Sequence, residues 1–148
     1  AGVLPEPGPY SNADLVVQDL LARTVADADA AMLRLDFSGG IAAIRGLIDA
    51  VNGYVTEQQP WALAKDDDRR ERLGTVLYTI AESLRAISVL YHPVMPSATE
   101  ALWQSLGADA LGPLADQVVT HVVWGQLPPG VTVSKPEQLF PRLPDEEE

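Results

Sequence analysis

The chain has 148 residues, 47% of them hydrophobic, a formal net charge of −11 and no cysteine. This predicts one domain able to bury about two-thirds of its unfolded surface. Disulfides and thiolate metal sites are excluded, which fits a cytoplasmic location. The acidity argues against a general nucleic-acid binder, because such proteins use a basic surface and released counterions. It still accommodates a reader of a few splayed bases, provided another part of the protein supplies the phosphate contacts. No apolar run approaches the roughly 20 residues needed to span a bilayer. The start, AGVLPEPGPY, lacks the basic region and apolar core of a secretory signal.

Prolines and glycines in residues 1–10 predict an extended lead-in. A first helix is expected from Asn12 to about Leu35, capped by Ser11 or Asn12, with Asp14 in the favourable first turn. Val17, Leu20, Leu21, Val25, Ala28, Met32 and Leu35 trace its apolar face. The segment Asp36–Gly40 predicts a break, with Ser38 as candidate cap for the next helix. That second helix carries Ile41, Ile44, Ile48, Val51 and Val55 near the 3.6-residue period. Its small residues, Ala42, Ala43, Gly46, Ala50 and Gly53, predict a close helix approach. Tyr54 is expected in the core with its hydroxyl tied down.

Pro60 stops the second helix, since it lacks an amide donor and disfavours helix at the residue before it. Trp61 follows at once. An indole held at a rigid helix exit can stack on a flat ligand such as an RNA base. The other reading has it closing the bottom of a helical core, as most tryptophans in small domains do. Asn52 either hydrogen-bonds a base edge or satisfies a neighbouring backbone group.

Asp66, Asp67 and Asp68 suit the start of a third helix, where Leu73, Leu77, Ile80, Leu84, Ile87 and Tyr91 step by four and three. Lys65, Arg69, Arg70 and Arg72 form a basic cluster. Lys65 and Arg69 are candidate phosphate contacts, but the neighbouring acids offset the cluster, and it reads mainly as a salt-bridged surface. His92, at the helix end, is assigned a structural role. Ser97–Glu100 has the form of a capping box opening a short helix, with Trp103 in the core and Gly107 at its end. Val118–Trp124 is β-branched enough for a short strand; His121 and Trp124 read as packing residues. No glycine-rich phosphate loop, metal-ligand cluster or nucleophile–base pair is present, so no catalytic residue is assigned.

Asn52-Gly53-Tyr54, Glu57-Gln58-Gln59-Pro60-Trp61 and Ala64-Lys65 closely resemble the signature in the anticodon-binding helical domain of methionyl-tRNA synthetases. The acidic, alanine-rich helix before it, Tyr91-His92-Pro93-Val94-Met95-Pro96 after it, and Lys135-Pro136-Glu137-Gln138-Leu139-Phe140-Pro141-Arg142 look like family features in family order. The resemblance covers nearly the whole chain. It implies an all-α antiparallel bundle of the class I synthetase type: lead-in 1–10, bundle 11–107, irregular segment 108–143 packing back on it, and disordered acidic tail 144–148. Leu139 and Phe140 would anchor the returning segment.

In that family the tryptophan after the proline stacks on the first anticodon base, a role that passes to Trp61, with Pro60 aiming it and Asn52 beside it. The chain looks like a carboxy-terminal fragment without the catalytic domain and its two adenylate-forming signatures. The family's first anticodon-domain helix, with its base-reading asparagine and arginine, is also missing. No cofactor is expected in this fragment; ATP and magnesium belong to the parent enzyme. The implied partners are the tRNA anticodon loop and the remaining catalytic portion, with no membrane. The rival reading is a helical protein-interaction module without RNA contact. Trp61 at the surface beside a cleft supports RNA reading, and its full burial supports the rival.

Overall fold

The computed structural model describes residues 2–142, so the acidic tail 144–148 lies outside the described residues. Its helices are α1 (Asn12–Leu33), α2 (Phe37–Gln58), α3 (Pro60–Leu63), α4 (Arg70–Tyr91) and α5 (Pro96–Ser105). An irregular segment of short 3-10 turns wraps them. Two-residue strands, β1 (Gly2–Val3) and β2 (Thr132–Val133), pair antiparallel with Gly2 opposite Val133. This is the expected all-α bundle with an irregular extension.

Helix α1 begins after Ser11, whose amide donates to the Asp14 carboxylate at 2.8 Å. It ends two residues before the expected Leu35, because Leu35 turns left-handed at φ 60°. Leu35 and Asp36 then return their amides to the Met32 and Ala31 carbonyls at 3.0 and 2.8 Å, closing a Schellman motif. Asp36, not Ser38, caps α2 by accepting from the Gly39 amide at 2.9 Å, so α2 starts four residues before Ile41. Such a short link folds α2 back antiparallel on α1. The close approach occurs at Gly40, where a Cβ would lie 2.9 Å from the Met32 methyl. Gly46 and Gly53 instead meet open space, contrary to the small-residue expectation.

Helix α4 is the centre of the bundle. Val76, Tyr78, Ala86, Val89 and Leu90 are buried as well as Ile87 and Tyr91, whereas Leu77, assigned to the packed face, is 39% exposed. Thr75, Thr79, Ser83 and Ser88 bury their hydroxyls by donating to carbonyls four residues back, so a helix buried on most sides tolerates them. By length and composition Asp67–Tyr91 is apolar enough to cross a membrane, which corrects the expectation that no run is. Its apolar window is 78% buried inside this fold, and it includes the charged Glu82 and Arg85.

That pair fastens the irregular segment. Both side chains are buried, with Arg85 donating through Nε and Nη2 to Glu82 at 2.8 Å each. Glu82 also accepts the amides of Gly125, Gln126 and Leu127 at 2.8, 2.9 and 3.1 Å, while Arg85 donates to the Val123 carbonyl at 3.0 Å. One turn away, the Tyr78 hydroxyl donates to the Leu127 carbonyl at 2.9 Å. Burial, then the Glu82 charge, pushes the Tyr78 phenol up to about 12. These ties replace the strand expected over Val118–Trp124, whose middle is the 3-10 turn Val119–His121. His121 is exposed rather than packed, whereas Trp124 is half-buried, stacked edge-on against Tyr10 at 6.3 Å.

Helix α5 opens with Pro96 after Met95, so Ser97 lies inside the helix and no Ser97–Glu100 capping box forms. Thr99 instead donates back to the Met95 carbonyl region and lies 3.0 Å from His92 Nδ1, giving that histidine a structural partner. Trp103 is fully buried, its indole nitrogen donating to the Gly112 carbonyl at 3.1 Å. Gly107, at φ 69°, leaves the helix where a Cβ would meet the Thr132 carbonyl at 2.6 Å. Of the two expected anchors, Leu139 is half-buried and Phe140 is 64% exposed.

Removing the Glu82 charge strands Arg85 and weakens acceptance of three amides. Glu82→Gln is expected to cost about 3–5 kcal/mol, measured as a fall in the urea midpoint. Amide exchange should accelerate first at Gly125–Leu127. Uniform exchange across the chain would show that the segment is held some other way.

Candidate nucleic-acid interface

The break between α2 and α3 is made by one residue. Gln59 is left-handed at φ 47° and ψ 64°, and its amide still bonds the Val55 carbonyl at 3.0 Å. The Gln59 carbonyl then accepts from the amides of Ala62 and Leu63 at 2.8 and 3.2 Å, starting a new helical turn. Pro60 takes the first position of that turn, where a missing amide costs nothing. Leu63 is buried and pins the turn against the bundle, while Trp61, two residues earlier, is 55% exposed. The indole therefore does not close the core. Its direction comes from the turn that carries it.

A buried polar network stands behind the turn. Asp14, with 0% exposure, accepts both Arg72 nitrogens at 2.6 and 2.9 Å, the Tyr54 hydroxyl at 2.5 Å and the Ser11 amide at 2.8 Å. The Arg72 Nη2 also donates to Gln58 Oε1 at 2.6 Å. Arg72 thus joins the start of α1 to the last residue of α2, and is no surface charge as its place in the basic cluster suggested. Burial alone would raise the Asp14 pKa. The Arg72 and Tyr54 hydrogen bonds, the Ser11 amide and the Arg72 charge outweigh it and hold the carboxyl below its ordinary 3.8. Burial, and then the Asp14 carboxylate, push the Tyr54 phenol above its ordinary 10. Tyr54 is in the core with its hydroxyl tied, as its sequence context predicts.

The other members of the basic cluster divide. Asp67 holds Arg70 through Nε and Nη2 at 3.0 and 2.7 Å. Lys65 and Arg69 are exposed and make no ion pair with any described residue. Trp61, Lys65 and Arg69 thus share the connection from α2 to α4. Asn52 is not in that turn: it sits on α2, about 9 Å of helix rise before Gln58. It is exposed, and its side-chain amide bonds no described residue, so the intramolecular alternative for it is not realised. The candidate residues omitted Gln58, Arg72 and Asp14. Gln58 stood inside the quoted signature, while the Asp14–Arg72 pairing spans 58 residues with no local pattern to announce it.

The family model described as the anticodon binding domain of methionyl tRNA ligase matches residues 4–148. The chain belongs to that family. A methionine–tRNA ligase of Streptomyces coelicolor is 49% identical over 147 residues, covering 96% of this chain and 27% of that protein. One from Halalkalibacterium halodurans is 42% identical over 137 residues, covering 93% and 20%. Among solved structures, the apo form of Mycobacterium tuberculosis methionyl-tRNA synthetase superposes with a TM-score of 0.84 at 26% identity, covering 97% of this chain and 28% of that one. The same enzyme in complex with methionyl-adenylate gives 0.81 at 27% identity, covering 95% and 27%. The anticodon-binding domain thus spans about a quarter of the length of these relatives.

The depressed Asp14 pKa fixes the sign of one pH effect. Since the folded value lies below the unfolded one, the network's stabilisation is present above the unfolded-chain value near 3.8 and is lost as pH falls through the folded value. Wild type is therefore expected to exceed Asp14→Asn in stability near neutrality and to converge on it below about pH 4. Urea unfolding of both proteins across that range checks this, and a gap that stays constant into acid would rule it out.

Proposed function

We propose that this domain reads the tRNA anticodon loop through Trp61, whose indole stacks on the first anticodon base. The parent enzyme thereby selects the tRNA to which it attaches methionine with ATP. The observation that carries the reading is the half-exposed indole, held out on a proline-led turn while Trp103 is fully buried. A base stacked there gains area on one face without any demand on the charge of this acidic domain, and such stacks contribute about 1–3 kcal/mol by alanine substitution. Pro60 fixes the turn's first φ and so limits where the ring can point. Asn52 has a free amide to offer a base edge. ATP, and with it magnesium, act on the remaining portion of the parent; no residue here is assigned to the chemistry.

In the complete enzyme, Trp61→Ala should raise the tRNA KM or lower kcat/KM about 5- to 150-fold, the span of that stacking energy. Methionine-dependent adenylate formation should stay near wild type. Aminoacylation that is unchanged by the substitution removes the stacking role.

Lys65 and Arg69 are assigned to backbone phosphates because they alone in the basic cluster are not held by an acid among the described residues. Lys65→Ala and Arg69→Ala should each weaken tRNA binding and lower the slope of log affinity against log salt by about one. Affinity and slope are read by titration of the complete enzyme at several salt concentrations. An unchanged slope returns both to solvated surface.

The rival, a helical protein-interaction module without RNA contact, would have been supported by a fully buried Trp61, and the indole is 55% exposed. What favours a protein contact as well is a groove of about 480 Å³ lined by Val3, Leu77, Ile80, Leu84 and Val133. We assign it to the remaining portion of the same enzyme, since relatives are about four times as long. Gel filtration of the two parts together tests this: separate elution removes the contact.

A further inference from the structure

We infer that Gln58 is a positioning residue for Trp61, acting through the Arg72 guanidinium and the carboxylate of Asp14. This rests on the reading of Trp61 given above and adds the residue that aims it. A left-handed backbone at a non-glycine residue is unfavourable by about 1–2 kcal/mol and persists only when its surroundings over-determine it. Gln59 is such a residue, and its own side chain caps nothing. Downstream, buried Leu63 and the amide bonds of Ala62 and Leu63 hold the turn. Upstream, the last turn of a helix frays unless something ties it. The tie present is the 2.6 Å hydrogen bond from Arg72 Nη2 to Gln58 Oε1.

The strength of that tie lies in its backing. Arg72 cannot swing with Gln58, because the same guanidinium is bidentate on a carboxylate with no exposure, which two further donors from α1 and α2 also hold. A charge-assisted bond to a fixed fork transmits position, where a bond to a free side chain would not. The left-handed residue therefore has a fixed end on each side, and the exposed indole inherits its direction from both. The amide oxygen of Gln58 is spent on Arg72.

The test is a double-mutant cycle in the full-length ligase. Gln58→Met keeps the length and the apolar stem and removes the acceptor. It should raise the tRNA KM about fivefold, in the range of coupling between residues in one network, with methionine-dependent adenylate formation and the urea midpoint near wild type. In a Trp61→Ala background the same change should have no further effect on the tRNA KM. If Gln58→Met leaves the tRNA KM unchanged while Trp61→Ala raises it, stacking stands and the positioning role is overturned. A full additional effect in the Trp61→Ala background also overturns it, since Gln58 would then act on its own. If Trp61→Ala alone has no effect, the stacking reading fails and this inference fails with it.

Discussion

A single guanidinium holds three of the helices in register. Arg72 lies early in α4, takes Asp14 from the start of α1 with two hydrogen bonds and reaches Gln58 at the end of α2 with a third. Putting a carboxylate at zero exposure in a helical interior is expensive unless its lone pairs are filled, and here four donors fill them. Apolar packing could hold the same helices together, but it would tolerate sliding by a fraction of a turn. A forked, bidentate pair does not, which is why the network is better understood as a device for register than as a source of stability.

The second buried pair solves a different problem with the same chemistry. The described residues beyond Gly107 have no helix or sheet long enough to satisfy their own amides, and a backbone laid against a core leaves donors to be paired. Glu82 accepts three of them in succession while Arg85 neutralises it from the next turn and takes a carbonyl in addition. The wrapped segment in turn closes the amino-terminal lead-in, because Leu4 exchanges backbone bonds with Gly130 and Val131 and is itself buried. Glu82 and Arg85 thus hold the wrapped segment, and through it the lead-in.

Much of this was legible in the sequence, and what was not shares one cause. Helical periodicity located α1, α2 and α4, Pro60 marked the break, and Trp103 was placed in the core. The helix ends moved by a few residues where side chains competed for the same amides: Asp36 displaced Ser38 as cap, and Pro96 drew α5 forward past Ser97. Glu82 and Arg85 carry no sequence signal of their own, and Arg72 stands in a run of basic residues that reads as surface. At one-dimensional resolution, charges spaced along a helix look alike whether they face water or a partner 58 residues away. Trp61 was the reverse case. Its residue type favours burial, while its place at a proline-made helix exit and the resemblance to a known family argue otherwise, so its exposure carries information that composition does not.

Under the function proposed above, an acidic domain that reads RNA has to divide the work. Long-range attraction to phosphate scales with net charge, and at −11 it opposes approach. Discrimination needs no such attraction. Stacking depends on where a ring lies and what fits against it, and it gains from rigidity because an ordered platform loses less entropy when a base arrives. The features that the net charge cannot supply are the ones this fold supplies locally: an indole on a short turn, a proline that sets the turn's first angle, two cations paired with no described acid alongside, and a buried ion pair fixing the helix from which the turn departs. Two arginines and two acids are committed to internal pairs, and the Asp14–Arg72 pair fixes the helix from which the turn carrying Trp61 departs.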